Sequence, residues 1–269
     1  MKHPYLRTIF VVASAMVVLG ACGGGGTPSK ETKDGKANTV SQADKDKAEA
    51  SDNIDKYFKL IGDATEDSFK EAASIAAPDS VAFAYATHLG FLAETDTASG
   101  TSTAEPETFP KSAKGFKICD LNGDGDKSDC SYYSDFETTA GKIATFSADG
   151  KPMKDRIVLG TGGPIKAGDL ATVRFVSAYQ SPFSNALFVT VEIKTKDVAV
   201  ETGVGSADYR RPNGRQATAA DYAGDYQIGA KSLMTNYMIF PGSEIGGQVS
   251  FDVNDADYNT TSKVSFKTK

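Results

Sequence analysis

Five acidic or amide side chains, Asp120, Asn122, Asp124, Asp126 and Asp129, fall between Cys119 and Cys130. With Asp120 as position 1, Asp, Asn and Asp stand at 1, 3 and 5 and Gly125 at 6, the first half of an EF-hand-type calcium loop. In that pattern alternate oxygens converge on a hard cation while glycine permits the sharp turn. The second half departs from it. Position 12 is Ser131, so the bidentate glutamate is missing, and neither flank reads as a helix. The expectation is a weak calcium site of the extracellular kind, with a Kd of about 10⁻⁴ to 10⁻³ M. Without metal, the same residues make an acidic, turn-rich connection between strands.

A second chemical signal stands at the N-terminus. Lys2 and Arg7 form a basic head, Thr8–Leu19 carries no charge, and Leu19-Gly20-Ala21-Cys22 comes next. A basic head, a short apolar core and small residues before a cleavage point describe a secretory signal, too short to span a bilayer. The cysteine directly after Leu-Gly-Ala resembles the lipobox of bacterial lipoproteins. That resemblance implies a diacylglycerol on Cys22, removal of residues 1–21 and a tether to the outer face of the cell membrane, or to an outer membrane where the host has one. Residues 22–50 begin with Gly23–Gly26 and are strongly polar, as a flexible tether would be.

With Cys22 given to lipid, Cys119 and Cys130 are the one remaining pair. Outside the cytoplasm such a pair can oxidise and persist. A disulfide over a loop of this length stabilises the fold by about 3 kcal/mol in the chain-entropy model; the alternative is two buried thiols. His88 is the one histidine beyond the signal, and it falls on the apolar face of a predicted helix. A lone histidine there reads as a core residue rather than a base or ligand. The chain holds no Gly-x-Ser-x-Gly elbow, His-Glu-x-x-His pair or phosphate-binding glycine loop. No pair of its carboxylates is singled out for glycosidase chemistry.

Lys2 and Arg7 are the only charged residues before Cys22. From Cys22 onward, 27 basic residues therefore face 35 acidic ones, a net charge of −8. Such a surface repels phosphate backbones and excludes nucleic acid as an expected partner. It also excludes charge-driven adhesion to anionic lipid headgroups.

The elements that must position these residues change character along the chain. Over residues 51–94, Ile54, Phe58, Ile61, Thr65, Phe69, Ala72 and Ile75 recur at helical spacing, with Gly62 marking a kink or a division and Thr65 a cap. Ser80 restarts a helix carrying Val81, Tyr85, His88, Leu89 and Leu92 on one face. Thr95–Lys114 reads as a surface loop. Tyr132–Glu137, Lys142–Ser147 and Arg156–Leu159 then read as strands, with hairpin signals at Ala140-Gly141 and Asp149-Gly150. Helices before a short antiparallel sheet predict a small α+β domain over 51–160.

Beyond the glycine-rich stretch 160–168 the chain reads as all β. Ala171, Val173, Phe175, Ser177 and Tyr179 alternate with their neighbours, as do Leu187, Val189, Val191 and Ile193, and Leu233, Thr235, Tyr237 and Ile239. Period-two patterning over several strands predicts a two-sheet sandwich over 161–269. Leu187–Ile193, Tyr209-Arg210-Arg211-Pro212-Asn213-Gly214-Arg215 and Phe240-Pro241-Gly242-Ser243-Glu244-Ile245-Gly246-Gly247-Gln248-Val249-Ser250-Phe251 resemble a family of immunoglobulin-like domains. These domains occur at the C-termini of bacterial, mostly Gram-positive, surface lipoproteins. The resemblance covers about residues 165–268 and implies an immunoglobulin-like sandwich on a cell surface; it supplies no catalytic residues. The expected protein is non-enzymatic and lipid-anchored, binding an envelope component, a protein partner or a small ligand. The runner-up is a ligand-binding or enzymatic pocket in the first domain, lined by His88.

Overall fold

The computed structural model describes residues 42–100, 111–112, 115–120 and 129–269, with side chains at all of these except 42–47, 111–112, 118–120 and 129–131. Three helices come first: α1 (Gln42–Asp63), α2 (Glu66–Ile75) and α3 (Val81–Ala98). Helix α1 starts inside the stretch expected to be tether, and α3 runs on into the expected loop. The first division falls at Ala64, at φ 50°, while Gly62 stays helical. Thr65 and Ser68 close a capping box, each side chain accepting the other's backbone N–H, and this satisfies donors that the new helix would orphan. Ser80 caps α3 by accepting the N–H of Phe83.

Strands β1 (Lys111–Ser112), β2 (Gly115–Asp120), β3 (Asp129–Thr139), β4 (Lys142–Ala148) and β5 (Lys151–Pro152) form an antiparallel meander in that order. Both hairpin turns after β3 have two consecutive positive φ values, 51° and 75° at Ala140-Gly141, 49° and 68° at Asp149-Gly150. This is the type I′ geometry whose twist matches the strands. Alanine is a poor occupant of the left-handed region, and Ala140 is exposed. We expect Ala140→Asn to raise stability by about 0.5–1 kcal/mol, read as a higher Tm in thermal unfolding.

Twelve further strands follow: β6 (Ile157–Leu159), β7 (Ile165–Ala167), β8 (Ala171–Gln180), β9 (Leu187–Thr195), β10 (Val200–Thr202), β11 (Asp208–Arg210), β12 (Gln216–Thr218), β13 (Asp221–Ala223), β14 (Gln227–Ile228), β15 (Leu233–Phe240), β16 (Gln248–Asp255) and β17 (Thr261–Lys267). One sheet has the order β13-β15-β9-β8-β6, with β7 also on β8. The other has β12-β11-β16-β10-β14, with β17 also on β16. The two face each other across one core, in which Val189, Val191 and Ile193 meet Tyr209, Val249 and Val253, all fully buried. The architecture is thus three antiparallel sheets and three helices, with two of the sheets packed face to face.

A second core lies between the helices and the meander. It is aromatic: Phe58 stacks on Phe116 at 4.8 Å and meets Phe146 edge-on at 5.4 Å. Tyr57 donates to the carbonyl of Ala82, which ties α1 to α3. This core also includes Ile157 and Tyr179, so it reaches across to the two-sheet part. The strand Ile157–Leu159, which the sequence groups with the meander, instead pairs with β8, Ile157 opposite Tyr179.

The alternation along β8 is broken where the sequence shows it continuous. Phe175 lies opposite Val191, but Ser177 lies opposite Thr190, so Val176 is a bulge. Before it, Ala171 and Val173 face the intersheet core; after it Ala178 does, and Ser177 and Tyr179 turn to the outer face. Gly160 sits on the bulge, its N–H donating to Val176 at 2.7 Å, and a Cβ there would lie 2.0 Å from the Phe175 carbonyl oxygen. On β15 the expected face is also reversed. Met234, Met238 and Phe240 pack into the core, while Thr235 and Tyr237 face outward. Helix α3 packs against that outer face, so the middle of this sheet is buried on both sides.

Candidate functional site

The outer face of the other sheet is open to solvent and carries a cleft of about 480 Å³. Its floor is set by register. Glu201 on β10 lies opposite Asn254 on β16 and opposite Gln227 on β14, and Asp252, two residues along β16, shares their face. Their neighbours Val253 and Thr202 point the other way and are buried. Thr202 also borders the cleft; it is 5% exposed and its hydroxyl has no hydrogen-bond partner.

Three tyrosines rim this floor: Tyr222 from β13, Tyr226 ahead of β14, and Tyr258 from the β16–β17 turn. They are 36%, 46% and 57% exposed, three of the exposed large hydrophobic residues of the described chain. Each is fixed by local structure. Tyr222 packs against Gly205, where a Cβ would come within 2.6 Å of its ring. The Tyr226 carbonyl accepts the N–H of Thr202 at 2.8 Å, holding the segment beside β10. Tyr258 takes φ 55° in a turn organised by Asp255, whose side chain accepts the N–H of Asn259, and its hydroxyl donates to Glu201. The cleft therefore combines aromatic faces with oxygen acceptors. Among the described residues no lysine or arginine lines it; Lys263, opposite Asp252 in register, stands on its flank.

His88 lies elsewhere. It is wholly buried between α3 and β8, with Nδ1 2.8 Å from Ser177 Oγ and its ring 5.1 Å from that of Tyr179. Nε2 has no partner, and burial lowers the pKa from 6.5 to about 3. The ring is neutral and sealed from solvent at physiological pH, a structural group rather than a base. In the helical part a small groove of about 190 Å³ lies between α2 and α3, with Lys70 and Glu94 among its lining residues. Its floor is apolar, with Phe69, Ala73, Ala86 and Phe91, and His88 takes no part in it.

Cys22, Asn122, Asp124 and Asp126 lie outside the described residues. The expected calcium loop is thus seen only at its ends, where the backbone places Asp120 opposite Asp129 and Cys119 opposite Cys130 across β2 and β3. Among the residues with described side chains, no three His, Cys, Asp or Glu come together as a metal site. No helix among them is long and apolar enough to cross a membrane.

The tyrosine cleft is not singled out by any pattern in the sequence. Asp-Tyr occurs at 208–209, 221–222, 225–226 and 257–258, but Tyr209 is fully buried, so the dipeptide does not mark the cleft.

No family model matches the chain, and no curated protein matches it. Among solved structures it is similar to a family 123 glycoside hydrolase from Clostridium perfringens, whose structural study concerns glycolipid glycan hydrolysis. The identity is 8% and the TM-score 0.22 over 30% of this chain, so the match spans only 20% of that enzyme.

Proposed function

We propose that the protein is an exported, lipid-anchored surface protein that works by binding, with the tyrosine-rimmed cleft as its ligand seat. The observation that carries the seat is the concave junction of three exposed rings with Glu201, Asp252 and Asn254 on an otherwise solvated sheet face. Small-ligand sites have this mixture of apolar surface with few convergent polar groups, at volumes of about 300–1,000 Å³. The runner-up places His88 on a pocket of the first domain, and that histidine is buried and takes no part in the α2–α3 groove.

The two facing sheets are read as the immunoglobulin-like sandwich that the motif resemblance implies. The motif residues support it as a packing device: the Tyr209 hydroxyl accepts the N–H of Gly247 at 2.8 Å and donates to Glu244, and Phe240 packs on the Tyr209 ring at 5.2 Å. The Cys119–Cys130 disulfide is supported by register. Directly opposed residues of an antiparallel pair have Cα atoms about 4.5–5.5 Å apart, inside the span of a disulfide.

The anchor rests on Leu19-Gly20-Ala21-Cys22 and is tested by fractionation. Expressed in a bacterial host that processes lipoproteins, the native chain is expected in the membrane fraction in processed form. Cys22→Ala is expected to release the protein or leave its signal uncut. A mutant processed and membrane-bound like the native chain removes the anchor.

A further inference from the structure

The chemistry of the cleft narrows the ligand class, on the premise that the cleft is the ligand seat. We propose that it binds an uncharged carbohydrate chain. A pyranose is amphipathic in a particular way: one face presents C–H groups, and the edge presents hydroxyls. The C–H face stacks on aromatic rings, as Tyr222, Tyr226 and Tyr258 offer at the rim. The hydroxyls are donors, and the floor is rich in acceptors: Glu201, Asp252 and the Asn254 amide. Tyr258 and Gln227 both donate to Glu201, which orients its carboxylate before any ligand arrives.

Charge and shape exclude the nearest competitors. A phosphate, sulfate or uronate would meet both Glu201 and Asp252, with Lys263 on the flank, opposite Asp252, as the neighbouring cation. A quaternary ammonium ion satisfies rings and carboxylates, but it is taken by cages that enclose one compact cation. Here the floor extends along two neighbouring strands and lies open to solvent. An open trench suits part of a chain whose remainder stays in water, whereas isolated small molecules are usually largely enclosed.

The test uses the purified full-length chain. An array of neutral oligosaccharides two to six sugars long is screened, and hits are titrated by calorimetry and by tyrosine emission, which no tryptophan obscures in this chain. The expected Kd is about 10⁻⁵ to 10⁻³ M. Tyr226→Ala and Tyr258→Ala are each expected to weaken binding about 3- to 10-fold, the worth of one aromatic contact. Tyr132→Ala, which removes an exposed ring on the meander, leaves it unchanged. Unfolding temperatures for every variant separate lost binding from lost folding. Binding of tetramethylammonium through the same tyrosines, without neutral glycans, overturns the carbohydrate assignment while retaining the seat. Preference for sulfated or uronic glycans overturns it too, and a folded protein that binds none of these probes removes the seat along with it. None of these outcomes touches the anchor, which fractionation decides.

Discussion

Acidification from pH 7 to pH 4 is expected to cost this protein about 3 kcal/mol of stability through His88 alone. The ring is fully buried, and burial holds its folded-state pKa at about 3, against an ordinary value of 6.5. Proton counting gives the sign. Below pH 6.5 the unfolded chain binds a proton that the folded chain refuses until about pH 3. The contribution is therefore fully present above pH 6.5 and is lost as pH falls through that window. Glu94 and Asp96, farther along α3, have carboxyl groups raised by burial, and these act in the opposite sense on acidification. A variant must therefore isolate the histidine. His88→Asn retains a polar partner for Ser177 and cannot titrate. Its Tm at pH 7 should lie below the native value, because packing against Tyr179 is lost, and its decline towards pH 4 should be markedly shallower. Parallel pH profiles for the two proteins would mean that His88 gains water and a proton in the folded state.

Cutting the chain between its two cores should produce the other large effect. A fragment from Arg156 to Lys269 keeps the whole intersheet core and strand β6, so it is expected to unfold cooperatively. It loses α3, which covers Ser177, Tyr179, Phe188, Thr190 and Tyr237 on the outer face of the first sheet. Exposing Tyr179 and Phe188 alone removes on the order of 3–6 kcal/mol, so the fragment should melt well below the intact protein and bind a hydrophobic dye. A fragment beginning at Ile165 also lacks β6 and should be weaker still. Fragments as stable as the intact chain, measured by thermal unfolding, would show that the helical layer adds nothing.

These two results share a cause that also limits what could be read from sequence. Helices α2 and α3 were legible because each is marked at its start, by Thr65 and Ser80, whereas the start of α1 lies in residues whose polar composition reads as tether. The type I′ turns were legible from Ala140-Gly141 and Asp149-Gly150. The outward direction of Ser177 and Tyr179 was not, since Ala171, Val173, Phe175, Ser177 and Tyr179 alternate without a break while the backbone inserts Val176 as an extra step. β15 misleads for a related reason. Where both faces of a strand are covered, Leu233, Tyr237 and Ile239 look as buriable as Met234, Met238 and Phe240. The cleft escaped because its residues come from separate segments that only the strand order β16-β10-β14, the β16–β17 turn and the edge strand β13 of the facing sheet bring together. Pattern reading along one segment has no access to neighbours set by pairing.

The bulge at Val176 acts on strand β8 as a frameshift acts on a message. Side chains on a strand are read in twos, and one extra residue moves everything downstream into the other frame. Upstream, the strand belongs to the intersheet core; downstream, its Ser177 and Tyr179 belong to the helices. The attachment of one half of the protein to the other is thus encoded in a residue count rather than in a residue type. Conservative changes at Val176 would leave both halves joined, while loss of that single position would return Ser177 and Tyr179 to the wrong frame and strand His88 without its partner.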